Sequence, residues 1–249
     1  MIAPVTDAEI LATAAALAGG ACHSATGFGF VLVAGPLVAA ALPPEQAITS
    51  LLCLGIVTSS LTLVTEARRP NPLWRESGQI LAWGAGGAFA GTFLLARLDT
   101  TALQLLVTCT VIVALAARHR SVSKEGLTLF RKPPIVGLAA GALTTTTSAN
   151  GPPILLYLLG RGVEAPRMRD TLSMLFIAFA VIGLAALALG DAEAALPDGA
   201  VVAVLPAAAT AGHLAGRPVF ARLAAGHYDQ VVTALLLVSV VAGAVVALT

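Results

Sequence analysis

Charge is scarce in this chain. Of 249 residues, 14 are Lys or Arg and 13 are Asp or Glu, together 11%, against about 25% in an ordinary soluble domain. Hydrophobic residues make up 57% with the 24 glycines left out of the count, and mean hydropathy is +0.90. So little charge excludes a soluble globular enzyme and a disordered chain. The formal net charge of +1 excludes a nucleic-acid binder, because no basic surface remains to neutralise phosphates. Cysteine is nearly absent. Cys22, Cys53 and Cys109 lie far apart in apolar segments and are odd in number, so neither a disulfide framework nor a metal motif is implied. The aromatics Trp74, Trp83 and Tyr157 are too few for a stacking box. The first ten residues carry Asp7 and Glu9 and no basic residue, unlike a cleavable signal peptide, so mature structure is expected from Ile10 onward. What remains is an integral membrane protein.

The charges bound eight charge-free windows: 10–44, 46–65, 77–96, 100–117, 133–160, 171–190, 199–216 and 230–249. Six of them match the roughly 20 residues of a membrane-spanning helix. The windows 10–44 and 133–160 are too long for one span, and each is interrupted in the middle. The first contains Gly27 and Gly29; the second contains the β-branched run Thr144–Thr147 followed by Gly151-Pro152-Pro153. Proline lacks an N–H and disfavours helix in the residue before it, and β-branched residues weaken helix. Each long window therefore reads as one broken span or as a re-entrant hairpin with its tip near mid-membrane.

The positive-inside rule chooses hairpins. With both ends of each long window on one side, 13 of the 14 basic residues share a face and only Arg97 lies opposite. With single spans they split roughly evenly. The hairpin arrangement puts both termini outside the cytoplasm, and the expected location is the inner membrane. It also yields hairpin, three spans, hairpin, three spans. The segment Ala90-Gly91-x4-Ala96-Arg97-Leu98 recurs as Ala215-Gly216-x4-Ala221-Arg222-Leu223, and Gly29, Pro44 and Thr49 recur as Gly151, Pro166 and Thr171. Three crossings per unit make the second unit inverted, which is a transporter architecture. The expected fold class is an all-α polytopic membrane protein of two inverted repeats. The first, 1–124, has a hairpin at 10–42 and helices at 46–65, 78–96 and 100–117. The second, 125–249, has a hairpin at 135–160 and helices at 171–190, 199–216 and 231–248.

At these motifs the chain resembles the sulfite exporter TauE/SafE family, also called the toluene sulfonate uptake permease family. The matching stretches are TGFGFVLVAGPLVAAALPPEQAI in the first half and NGPPILLYLLGRGVEAPRMRDTL in the second, with the two AG-x4-ARL segments. The resemblance covers nearly the whole chain. It implies a permease for sulfur-containing anions such as sulfite, sulfonates or sulfoacetate-like acids, working by alternating access.

The interior chemistry agrees with an anion. No Asp, Glu, Lys or Arg lies inside any window, whereas intramembrane carboxylates mark proton relays and cation paths. Helix N-termini carry partial positive charge and free N–H groups, and the limbs starting near Phe30 and Pro153 present such ends at the tips. The expected substrate-binding residues are His23, Ser24, Thr26, Gly27 and Gly29 at the first tip. At the second they are Thr146, Thr147, Ser148, Asn150 and Gly151. Hydroxyls there either donate to oxyanion oxygens or bond back to the preceding turn. Thr49, Ser50, Thr171, Ser173 and His213 form a second tier. Without an interior carboxylate, a coupling proton binds only at a histidine, foremost His23; backbone carbonyls at the breaks offer Na⁺ a site instead. No HExxH, GxSxG or cofactor fingerprint is present, so no catalytic residue, metal or cofactor is expected. The expected partners are a small anion, a coupling proton or Na⁺, and the lipid bilayer; the sequence leaves the oligomeric state open. Competing readings are a carrier of another small anion, such as a carboxylate, and a non-transporting membrane assembly subunit.

Overall fold

The computed structural model describes residues 6–66, 68–99, 101, 102, 105, 109, 132–189 and 201–222. These form eight main helices and no strand: α1 (Asp7–Thr26), α2 (Phe30–Ala41), α3 (Pro44–Thr65), α4 (Trp74–Leu95), α5 (Pro133–Thr147), α6 (Gly151–Gly160), α7 (Ala165–Leu189) and α8 (Val201–Arg222). Among the described residues α3, α4 and the stretch Pro166–Leu189 of α7 are long and apolar enough to cross a membrane, and α2 and α6 are shorter apolar helices. The helices expected at 100–117 and 231–248 lie mostly or wholly outside the described residues.

Several helices start earlier than the charge-free windows. The first begins at Asp7, not Ile10, because Thr6 and Glu9 form a capping box: the Glu9 N–H donates to Thr6 Oγ1 and the Thr6 N–H donates to the Glu9 carboxylate. This satisfies two amides that have no partner inside the helix. Likewise α4 holds Arg75 and Glu76 in its first turn, and α7 starts before Arg167 and Asp170. Charges stop a membrane core, not a helix, so windows defined by charge clip helix ends.

Two places break the helical run. After α1 the chain turns at Gly27, whose φ of 77° is the left-handed conformation that costs glycine little. The Thr26 hydroxyl donates to the Cys22 carbonyl and accepts from the Phe28 and Gly29 amides. After α5 the chain turns at Ser148, with φ 55°. The Thr147 hydroxyl donates to the Leu143 carbonyl and accepts from the Ala149 amide. The threonine run expected to weaken helix nonetheless lies within α5 through Thr147, its hydroxyls donating to carbonyls of the preceding turn and, from Thr145, to the Ala88 carbonyl of α4. Nor does Gly151-Pro152-Pro153 merely end a helix. It forms the first turn of α6, where a missing N–H has no partner to lose.

Both breaks reverse the chain. Gly19 of α1 faces Ala34 and Phe30 of α2, so a Cβ there would lie 2.9 Å from Ala34 Cβ; the two arms run antiparallel. In the second hairpin, Gly137 near the start of α5 packs on Ile80, and Arg161 just past α6 pairs with Glu76 at 3.1 Å. Both ends of that hairpin therefore lie at the starting end of α4. Arg68, Arg75, Arg161, Arg167, Arg169 and Arg217 gather at this end, with Arg97 at the other. The Arg217 guanidinium donates to the Thr65 carbonyl there.

Glycines set the closest crossings. In α4 against α5, a Cβ on Gly87 would collide with the Leu138 carbonyl, and one on Gly91 with Thr145 Oγ1 and the Ala142 carbonyl. In α8 against α1, a Cβ on Gly212 would collide with the Leu17 carbonyl, and one on Gly216 with Ser24 Oγ and the Ala21 carbonyl. Small residues let helix backbones meet where lipid offers no hydrophobic drive. The apolar cores follow the same division. One joins Ala12, Phe30, Val38, Leu51, Leu54, Leu205 and Ala209 from α1, α2, α3 and α8. The other joins Ile80, Val136, Ile154, Tyr157, Leu172 and Phe179 from α4, α5, α6 and α7. A third, with Ile48, Leu52, Leu95, Ala180 and Leu187, ties α3, α4 and α7 together.

Candidate functional site

Both hairpin tips line one small cavity. Tip one contributes His23, Phe28 and the first turn of α2. Tip two contributes Ser148, Ala149, Asn150 and Gly151. Ser59 of α3 and Phe176 of α7 close the sides. The enclosed volume is about 30 Å³, room for roughly one or two waters. Phe176 bridges the tips: its ring lies 6.4 Å from the His23 ring, and a Cβ on Gly151 would be 3.4 Å from its Cζ.

The polar groups at the wall are neutral donors. Phe30, Val31 and Leu32 begin α2, so their amides have no carbonyl within the helix to bond, and all three residues line the cavity. At the second tip Pro152 and Pro153 remove two such amides and leave Asn150 and Gly151 to supply them. The Asn150 side-chain amide donates to Thr144 Oγ1 at 3.0 Å. The Ser148 hydroxyl donates to the Ile48 carbonyl of α3 at 3.2 Å. His23 is 1% exposed, and neither of its ring nitrogens has a hydrogen-bond partner among the described residues; the same holds for Ser59 Oγ. Unpaired polar groups in a buried wall are costly and are the groups a bound ligand would satisfy.

The remaining expected residues are placed differently. Gly27 and Gly29 shape the tip without lining the cavity: a Cβ on Gly27 would meet the Arg169 stem, and one on Gly29 would meet Cys22 and Thr26. Ser24 and Thr146 donate their hydroxyls to the Ala21 and Ala142 carbonyls, and Thr26 and Thr147 stabilise the turns as described above. Thr171 donates to the Arg167 carbonyl and accepts from the Leu73 amide, a contact that secures the α3–α4 connection. Thr49, Ser50 and Ser173 are buried without a hydrogen-bond partner among the described residues and stand outside the cavity wall. His213 is fully buried on α8, its ring 6.3 Å from that of His23.

Two features escaped the sequence reading. Ser59 and Phe176 line the cavity from within ordinary spans. The cluster Thr58-Ser59-Ser60-Thr62 in α3 was the available signal for the first. A charged network also sits under the first tip. Arg68 holds Asp170 with two hydrogen bonds of 2.6 and 2.8 Å and reaches the Pro166 carbonyl at 2.9 Å. Asp170, almost fully buried, also accepts from the Asn71 amide. The hydrogen bond to Asp170 holds the Arg68 guanidinium proton even more firmly than usual, raising its pKa. Glu66 pairs with both Arg68 and Arg169 at 2.7 Å, and Arg169 donates to the Ser24 carbonyl in the last turn of α1. Window analysis discards such residues because they flank apolar segments.

No group of three or more His, Cys, Asp or Glu side chains suited to a metal ion occurs among the described residues. No curated protein and no solved structure matches the chain significantly. The model of the sulfite exporter TauE/SafE family matches residues 11–243. With the apolar spanning helices, that match over nearly its whole length makes this chain a multi-pass membrane protein of the sulfite exporter TauE/SafE family.

Proposed function

We propose that this chain is an inner-membrane permease for a small sulfur-containing anion, sulfite or a sulfonate, that binds between the two hairpin tips. One observation carries the reading: two broken-helix tips converge on a single cavity whose wall offers amides, hydroxyls, Asn150 and His23 but, among the described residues, no charged side chain. Amides and dipoles at helix N-termini favour an anion, whereas a cation site calls for several oxygen ligands, usually including carboxylates. The family match supports the sulfur chemistry.

The mechanism we assign is alternating access by two inverted repeats. Its support is the repeated geometry. Gly87 on Leu138 and Gly91 on Ala142 have the same relation as Gly212 on Leu17 and Gly216 on Ala21. Left-handed turns fall at Gly27 and Ser148, and the helix caps that follow at Gly29 and Asn150. Both pairs are 121 residues apart, one fewer than the spacing from Gly29 to Gly151 taken from sequence. A cavity of about 30 Å³ admits water but not a sulfonate, so its walls must move apart for the anion to bind. Both termini outside the cytoplasm is the orientation consistent with the gathered arginines.

The membrane potential, negative inside, opposes entry of a monoanion by about 2.3 kcal/mol per 100 mV and favours its exit equally. Export therefore needs no coupling ion. Uptake needs one or a steep substrate gradient, and the groups available for coupling are His23 for a proton or backbone carbonyls at the breaks for Na⁺. The test is flux of sulfite, methanesulfonate and acetate in proteoliposomes under a clamped potential, at several pH values, for wild type and His23→Gln. Saturable sulfite or methanesulfonate flux supports the reading. Flux of acetate alone, or of none of the three, rejects it. Steep pH dependence that persists in His23→Gln removes the proton role.

A further inference from the structure

We propose that Arg169 is a substrate-recognising cation held in reserve, and that Glu66 is a built-in competitor which an arriving anion displaces. The proposal rests on the anion-permease reading and adds to it the charge that the cavity wall lacks.

The geometry distinguishes the two acids of the network. Asp170 is fixed: it is buried on α7, and it accepts two bonds from Arg68 and one from the Asn71 backbone. Glu66 is placed to move. It caps the end of α3 in an extended conformation, and its carboxylate is shared between Arg68 and Arg169. If Glu66 leaves, Arg68 keeps Asp170 and the Pro166 carbonyl. Arg169 keeps its bond to the Ser24 carbonyl, and the carboxylate paired with its Nε can be exchanged for another oxyanion. Guanidinium pairs with sulfite or sulfonate oxygens as it does with a carboxylate, so the exchange replaces one ion pair by another.

The position suits a gate. A cleft of about 550 Å³, with Arg68, Arg161 and Arg167 against Glu76 and Glu164 in its wall, opens beside the network. From the cleft the contacts run Arg68 to Glu66, Glu66 to Arg169, and Arg169 to Ser24. Ser24 adjoins His23, which lines the cavity. The Arg169 stem also lies under Gly27: a Cβ there would sit 2.6 Å from Arg169 Cγ. Any shift of Arg169 toward an anion therefore loosens the first tip, which links recognition to opening.

A purely structural ion pair makes the opposite prediction, and the sign of one effect separates the two. The full chain, purified in detergent, is titrated with sodium sulfite by calorimetry, with methanesulfonate and acetate in parallel. Glu66→Gln is expected to bind sulfite about tenfold more tightly, because the competitor is gone. Arg169→Gln is expected to bind it at least about tenfold more weakly, near the lower end of what a hydrogen bond to a charged group is worth. Affinity that weakens in both variants, or is unchanged in both while only the melting temperature falls, overturns the proposal. If Arg169→Gln does not give a monodisperse protein, Glu66→Gln decides: tighter binding supports the gate, and equal or weaker binding rejects it. If wild type binds none of the three anions, the permease reading falls and the proposal with it. If wild type binds sulfite and Glu66→Gln binds it no tighter, only the proposal falls.

Discussion

The two hairpin tips reach the same shape with different chemistry. The first turns on glycine at Gly27, offers the amides of Phe30, Val31 and Leu32, and is secured from below by the Arg169 side chain. The second turns on Ser148, begins its return helix with Pro152 and Pro153, and is secured by a neutral hydroxyl bond to Ile48. One tip thus presents backbone donors and rests on an arginine paired with Glu66. The other presents the Asn150 side chain and rests on a buried neutral bond. The two halves share their glycine crossings, and their tips differ in what they rest on.

The largest effects should come where the two halves agree. Gly87→Leu and Gly212→Leu each force a side chain into a facing helix carbonyl, and overpacking of this kind costs about 1–3 kcal/mol or more. Both variants should lose the monodisperse folded protein on size-exclusion chromatography, and to the same degree. Tolerance of one and not the other would break the equivalence of the halves.

The next effect should separate the tips. Gly27→Val places a β-branched residue at φ 77° and against the Arg169 stem, with strain of about 1–3 kcal/mol from the backbone alone. Ser148→Gly relieves a left-handed residue while giving up one hydrogen bond of about 1 kcal/mol, so the two terms nearly cancel. Thermal unfolding in detergent should show a marked drop for the first and almost none for the second.

The smallest effect tests which hydroxyls are already committed. Thr146 donates to the Ala142 carbonyl within its own helix, a bond that adds little to helix stability. Thr146→Val keeps the side chain's shape and should cost no more than about 1 kcal/mol of stability in thermal unfolding, the usual net worth of one hydrogen bond. A large loss would mean that the hydroxyl has a second duty.

Much of the fold was legible because charge and helix breaks are one-dimensional signals. The scarcity of charge located the apolar segments, and Gly27, Gly29 and Gly151-Pro152-Pro153 marked the breaks. Helix ends were not legible to the same degree. Asp7 and Glu76 sit in first turns, which welcome an acid that the membrane core would reject, and Asp170 sits deeper in α7, where Arg68 holds it. The site was half legible. His23, Ser148, Asn150 and Gly151 fall at the cavity because they adjoin the breaks. Thr146 and Thr171 do not, and their hydroxyls are committed to backbone groups; period and composition cannot tell a donor that is spent from one that is open. Arg169 and Glu66 meet across more than 100 residues of chain, a pairing that only the packed structure brings together.

If the tips enclose one anion site, exchange of radiolabelled sulfite across proteoliposomes depends on the residues that line it. Asn150 lines that site and contributes one internal bond to Thr144. The account predicts saturable exchange by wild type and at least about a tenfold loss in Asn150→Ala, with the purified variant still monodisperse. Wild-type exchange no faster than that of empty liposomes, or equal exchange by the two proteins, would contradict it.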